Sequence, residues 1–178
     1  MTGKTNADLQ KRIDECKKPP VKSTTSKEDY QKGKDFYDKK DYTQAVVWFR
    51  KAAEQGYSNA QFYLGYCYYC GRGVSEDNTQ AVVWFRKAAE QGYSDAQYHL
   101  GYCYYFGIGV SKDKTQAVVW FRKAAEQGHA EAQYTLGVFY YNGDGVSQDY
   151  TQAVVWYRKA AEQGHAGAKS SLKEKFGE

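Results

Sequence analysis

The chain has 178 residues, a formal net charge of +4, and 18 tyrosines against only 5 leucines and 2 isoleucines. Leu, Ile, Val and Phe together make 28 of the 178 residues, about 16%, a level that marks disorder when net charge is high and aromatics are few. Here the charges nearly balance and aromatics reach 17%, so disorder is excluded, and no apolar run approaches the roughly 18 residues of a membrane span.

Residues 1–28 are the most basic stretch, with 7 basic and 4 acidic side chains, which leaves the rest of the chain at +1. The opening MTGKTNADLQ lacks the apolar stretch of a secretory leader. A cytoplasmic location is therefore expected, with a periplasmic or secreted one as the alternative if a leader has been removed. Leu9, Ile13 and Cys16 fall at i, i+4 and i+7 behind Asn6 as an N-cap, and Pro19-Pro20 ends that short helix. Ser23–Ser26 reads as a linker. The helix either covers the open end of the fold formed by residues 29–178 or belongs to a mobile tail.

From residue 29 the chain repeats itself. The string TQAVVWFRKAAEQG occupies Thr43–Gly56, Thr79–Gly92 and Thr115–Gly128, and returns at Thr151–Gly164 with Tyr157 replacing phenylalanine, 36 residues apart each time. Between the copies run AQFYLGYCYYCGRGVSED, AQYHLGYCYYFGIGVSKD and AQYTLGVFYYNGDGVSQD. A fixed period of this length means stacked supersecondary units. The units are 29–56, 57–92, 93–128 and 129–164, followed by a capping helix over 165–178.

Each unit is predicted to hold two helices. The second is opened by Asp41, Asp77, Asp113 or Asp149, each three residues before a Gln, a variant of the capping box. It is closed by Gly56, Gly92, Gly128 or Gly164, where a left-handed C′ glycine is expected. The first helix starts near Ser58 or Ser94 and runs to the Gly71-x-Gly73 loop, which recurs as Gly107-x-Gly109 and Gly143-x-Gly145. No proline follows Pro20, as uninterrupted helices require. Aligning Gly33 with Gly65 predicts a helix around Tyr30–Lys39 in the first unit, with a loop four residues shorter and tetratricopeptide-like spacing at Gly33, Phe36, Tyr42 and Ala45. The last half-unit, His165–Glu178, carries Lys169, Lys173 and Lys175 as a polar cap.

These motifs resemble the Sel-1-like repeat family: A-x-A-Q-Y-x-L-G-x-x-Y-x-x-G-x-G-V, then A-x-x-W-Y-R-K-A-A-E-Q-G. The resemblance covers about residues 29–168, in register throughout. It implies an all-α fold, a right-handed α/α superhelix, and an adaptor role holding protein partners together. Some members staple each helix pair with a disulfide. No second helix here contains cysteine, which favours a reducing compartment or a stack needing no staples.

At about 100° per residue, Leu64, Ala60, Gln61, Cys67 and Tyr68 share the core stripe of their helix. The opposite side carries Asn59, Phe62, Tyr66 and Tyr69, with Cys70 at its margin. The matching columns are Asp95, Tyr98, Tyr102 and Tyr105, then Glu131, Tyr134, Val138 and Tyr141, and in the first unit Lys27, Tyr30, Lys34 and Tyr37. First helices of such a solenoid line its concave surface, so these tyrosines form a ladder along a groove. Either they give a rigid contact area for a partner, or they pack on one another along the superhelix.

The second helices are nearly identical, whereas Tyr63/His99/Thr135, Cys70/Phe106/Asn142 and Arg72/Ile108/Asp144 vary. Variation there fits reading of a ligand, or drift after duplication. Near-identity of the second helices also fits an engineered array. Val47, Val83, Val119 and Val155 lie about 200° from the core, a stripe for self-association, or else residues shielded by neighbouring side chains or simply tolerated there.

Other chemistry is disfavoured. Cys67 and Cys70 form C-x-x-C and His99 and Cys103 lie at i, i+4, yet Cys67 and Cys103 occupy one column of units roughly 8–10 Å apart, too far for a disulfide, and Phe139 fills that column next. No metal or other cofactor is expected. His129 and His165 share a column with Tyr57 and Tyr93, and His99 shares one with Tyr63 and Thr135, which reads as packing. No catalytic constellation stands apart from the repeat, and every G-x-G is a repeat loop. A basic stripe for nucleic acid is missing. The expectation is a non-enzymatic scaffold, monomeric or weakly self-associating. It binds a protein or peptide segment through Asn59, Phe62, Tyr66, Tyr69, Asp95, Tyr98, Tyr102, Tyr105, Glu131, Tyr134 and Tyr141, with no membrane partner. A structural, self-associating element using the valine stripe is the alternative, and a glycan- or RNA-binding repeat a further one.

Overall fold

The structure, a computed structural model, describes residues 25–177. The helix expected around Leu9–Cys16 lies outside them. Among the described residues the regular elements are all helices: α1 Ser26–Asp38, α2 Tyr42–Glu54, α3 Ser58–Cys70, α4 Asn78–Glu90, α5 Ser94–Phe106, α6 Lys114–Glu126, α7 Ala130–Asn142, α8 Tyr150–Glu162 and α9 Ala166–Phe176. Each packs on the helix before it and the one after it, which is the pattern of a solenoid of two-helix units.

Capping chemistry sets the boundaries. The carboxylates of Asp41, Asp77, Asp113 and Asp149 accept the backbone N–H of the Gln three residues on, at 2.9–3.1 Å. The described hydrogen bonds form that half of the box at each second helix. A complete capping box appears instead at Thr25 and Glu28, so α1 begins at Ser26, four residues before the start read from the sequence. The expected linker therefore ends at Thr25. In the short first loop Lys40 takes the left-handed conformation, φ 64°, that glycine supplies elsewhere.

The longer loops explain their glycines. Gly73, Gly109 and Gly145 have φ between 66° and 73°, and a Cβ on any of them would run into the backbone carbonyl of Tyr42, Asn78 or Lys114. Each loop thus tucks beneath the start of the preceding unit's second helix. A different glycine column, Gly33, Gly65, Gly101 and Gly137, admits the flat rings of Phe49, Phe85, Phe121 and Tyr157, which would lie 2.5–3.0 Å from an added Cβ. The residue of that column in α9 is Lys173.

No unit owns a complete core. Ala45, Phe49 and Ala52 of α2 meet Ala60, Leu64 and Cys67 of α3, and Trp84 of α4 closes the cluster. The same arrangement recurs one unit further on, ending at Trp120, and again ending at Trp156. Stacking is what buries each face, at roughly 1.5–3 kcal/mol per large side chain. A polar ladder runs through the same joints. Gln61 donates to the Ala53 carbonyl (3.1 Å) and accepts from Gln91 (2.7 Å), and Gln97/Gln127 and Gln133/Gln163 repeat the pattern. In the first unit Asp29 takes the column, accepting from Gln55 (3.0 Å) and pairing with Lys51 (3.1 Å).

Candidate functional site

The face built by the first helices carries the residues singled out by periodicity, in three rows. The first row is Tyr30, Phe62, Tyr98 and Tyr134. Each ring lies against the residue that opens the next first helix, Tyr57, Tyr93, His129 or His165, with centroids 4.5–5.2 Å apart. Each also meets the second-helix ring of its own unit, Phe49, Phe85, Phe121 or Tyr157, at 5.5–6.0 Å. These rings staple unit to unit. Phe62 corrects the periodicity reading: the helical step puts it opposite the core, but Tyr93, His99 and Phe85 close over it and leave it buried. The fixed 100° step ignores the neighbouring unit, which covers part of that side.

The second row, Tyr66 and Tyr102, and the third, Tyr69, Tyr105 and Tyr141, are half-buried. Phe106 stands beside them with 53% of its surface exposed, against Tyr102 at 4.4 Å and Tyr105 at 4.8 Å. Asp95, Tyr98, Tyr102 and Phe106 follow one another at i, i+3, i+7 and i+11, so they run down one line of α5. Comparison of the units marks Phe106 only as a variable position. Its aromatic identity beside two tyrosines is the signal that could have found it.

The polar column is tied into the stack. His129 opens α7 by accepting the Ala132 N–H at Nδ1 (3.1 Å) and points Nε2 at the Asp95 carboxylate (3.4 Å). His165 does the same for α9, accepting from Ala168 (3.1 Å) and reaching Glu131 (2.9 Å). Accepting at Nδ1 leaves the proton on Nε2, so each neutral imidazole donates to a carboxylate of the preceding unit. The His129 hydrogen bond, outweighing burial, holds the Asp95 carboxyl below its ordinary range. Both carboxylates remain about half exposed. Asn59 sits half-buried beside the Tyr30 hydroxyl.

Positions that vary between units prove to be matched within the chain. Arg72 donates to the Tyr37 hydroxyl and lies over the Tyr42 ring at 5.3 Å. Two units on, Asp144 replaces it, accepts from Tyr105 (2.7 Å) and pairs with Lys114 (2.5 Å), the residue equivalent to Tyr42. His99 fills the gap between units by stacking on Phe85 (5.3 Å, interplanar 24°), and burial there pushes its imidazole down to about 4. Burial likewise raises the Cys67 and Cys103 thiols to about 12, as befits core filler. Among the described residues no three His, Cys, Asp or Glu side chains are grouped to hold a metal ion, and no helix is long and apolar enough to cross a membrane.

On the opposite face Val47, Val83, Val119 and Val155 are exposed, so neighbouring side chains do not shield them. A trough of about 440 Å³ runs beside Val119, bounded by Val118, Arg122 and the next loop's Val146. A second, about 370 Å³, lies over Val154, Val155 and Phe176.

Two-helix units of one period, each core shared between neighbours, define an all-α solenoid of superhelical repeats. The family model described as Sel1 repeat matches residues 29–57, 58–93, 94–129 and 130–165, and the chain belongs to that family. Among solved structures it is similar to c5321, described as a protective antigen present in uropathogenic Escherichia coli strains and displaying an SLR fold: 43% identity, TM-score 0.82, 95% of this chain and 36% of that one. A Sel1 repeat protein from Oxalobacter formigenes matches at 39% identity and TM-score 0.78, over 83% of this chain and 62% of that one. Helicobacter pylori cysteine rich protein B matches at 26% identity and TM-score 0.59, over 74% of this chain and 95% of that one. The chain thus spans about a third of the first relative's length and under two thirds of the second's. A search of curated proteins gave no match. Sel1 repeat proteins are in general protein-interaction scaffolds.

Proposed function

We propose that this chain is a non-catalytic scaffold that holds a segment of a partner protein against the first-helix face. The observation that carries the reading is the Tyr102–Phe106–Tyr105 cluster. An exposed phenylalanine, tilted against one half-buried tyrosine and edge-on to another, offers rigid apolar area with hydroxyls at its edge. The Phe62 row takes a different part: it fixes the spacing of the units that present the cluster. Tyr98 and Tyr134 belong to that row, and Asp95, Glu131, Tyr66, Tyr69 and Tyr141 complete the proposed contact face, with Asn59 towards the first unit.

The test uses the intact chain as bait and measures affinity for the captured partner. Tyr102→Ala with Phe106→Ala is expected to weaken binding at least about tenfold, the scale of a central aromatic contact. Val83→Glu with Val119→Glu is expected to leave it unchanged. The troughs beside Val119 and Val155 favour a second reading, self-association through the valine face. Light scattering that shows an oligomer dissolving on Val83→Glu with Val119→Glu, and binding indifferent to the aromatic pair, replaces the first reading with the second.

A further inference from the structure

The aromatic cluster is bordered by charges of opposite sign on its two sides. At the start of the first helices stand Asp95 and Glu131, one unit apart in one column, each about half exposed. Their partners are histidines that accept a backbone N–H at Nδ1 and direct Nε2 at the carboxylate. At the far end of the same helices Lys112 lies over the Tyr105 ring at 5.9 Å and Lys175 over the Tyr141 ring at 3.7 Å. Lys114 is there too, offset by Asp144. The first unit lacks this order, for Lys27 occupies the column of Asp95 and Glu131.

Asp95 and Phe106 are eleven residues apart on one helix, roughly 16 Å at the helical rise. That exceeds the screening length of about 8 Å at physiological ionic strength, so the two edges act as separate fields. An extended peptide laid along the face turns successive side chains to opposite sides. It can therefore offer one sign of charge to each edge while its backbone and apolar groups rest on the rings.

Resting on the scaffold reading above, we infer that the site over units three and four selects an extended partner segment with alternating charge. Basic side chains face Asp95 and Glu131, and acidic ones face Lys112 and Lys175.

The experiment uses the full chain and two synthetic peptides of identical composition, rich in Lys, Glu and Leu. In one, Lys and Glu occupy positions of opposite parity, and in the other they are segregated into blocks. The alternating peptide is expected to bind at least tenfold more tightly at physiological salt. Asp95→Asn with Glu131→Gln, which keeps an acceptor for each histidine, and Lys112→Gln with Lys175→Gln are each expected to erase most of that preference. Equal binding of the two peptides, with both lost in Tyr102→Ala/Phe106→Ala, overturns the charge selection and leaves the aromatic site standing. Binding of neither peptide, or binding indifferent to the aromatic pair, overturns both.

Discussion

The first and second helices of each unit have the same length and nearly the same backbone, yet they use their sequences differently. A second helix faces the core with one stripe of Ala, Phe and Trp and turns valine, lysine and glutamate outward. Its demands repeat in every unit, and so do its residues. A first helix is gripped from both sides by second helices and touched by the next unit's opening residue and loop. Its variable positions answer to local partners: Arg72 to Tyr37 and Tyr42, Asp144 to Lys114, His99 to Phe85. Phe106 differs: its ring stands against Tyr102 and Tyr105 of its own helix and leaves 53% of its surface exposed. Variation in a repeat protein therefore has to be read against the neighbouring unit before it is assigned to a ligand.

The largest expected effect sharpens the contrast between two glycines that both have positive φ. Gly109→Ala forces a Cβ onto the Asn78 carbonyl of the neighbouring unit and should destabilise the array by about 3–5 kcal/mol. Gly92 ends a second helix with open space around it, and Gly92→Ala should cost only about 1 kcal/mol. Urea denaturation of the two variants compares them directly, and equal costs would remove the loop's role in coupling units.

The next effect is about 3 kcal/mol and depends on pH. Burial holds the folded His99 imidazole near 4, below its ordinary 6.5. The unfolded chain binds more protons between those values, so the contribution is complete above about pH 6.5, falls away as pH drops towards 4, and is lost below it. His99→Tyr, the residue of the preceding unit, should keep the stack on Phe85 and flatten this part of the stability profile. A smaller loss, about 1 kcal/mol, is expected for Asp113→Ala, which strips the cap from α6. The smallest effect has the opposite sign. Lys40→Gly should stabilise the first unit by roughly 0.5 kcal/mol, because the left-handed strain at Lys40 outweighs the added freedom of the unfolded glycine. Thermal unfolding measures both.

Much of the fold is legible in the sequence because repetition supplies its own comparison. The 36-residue period, the Asp caps and the glycine stops place the helix pairs, and the 3.6-residue step finds Leu64, Ala60, Gln61 and Cys67 in the core. The step fails where contacts come from another unit. Phe62 is buried by Tyr93 and His99, some thirty residues further along the chain, and no property of its own helix reveals that. His129 and His165 read as packing in the sequence, but their hydrogen bonds to Asp95 and Glu131 span adjacent first helices and depend on stacking geometry. Thr25-x-x-Glu28 is a visible capping box, yet alignment on Gly33 begins the helix too late to use it.

On the proposed reading the first helices present the binding surface and the second helices hold it in place. Chemical-shift mapping of the intact chain with its captured partner tests this most directly. Perturbations are expected to centre on α5 and α7, strongest around Tyr102 and Phe106, with the amides of Val83 and Val119 unmoved. Perturbations centred on the valine face, with Tyr102 and Phe106 silent, would contradict it.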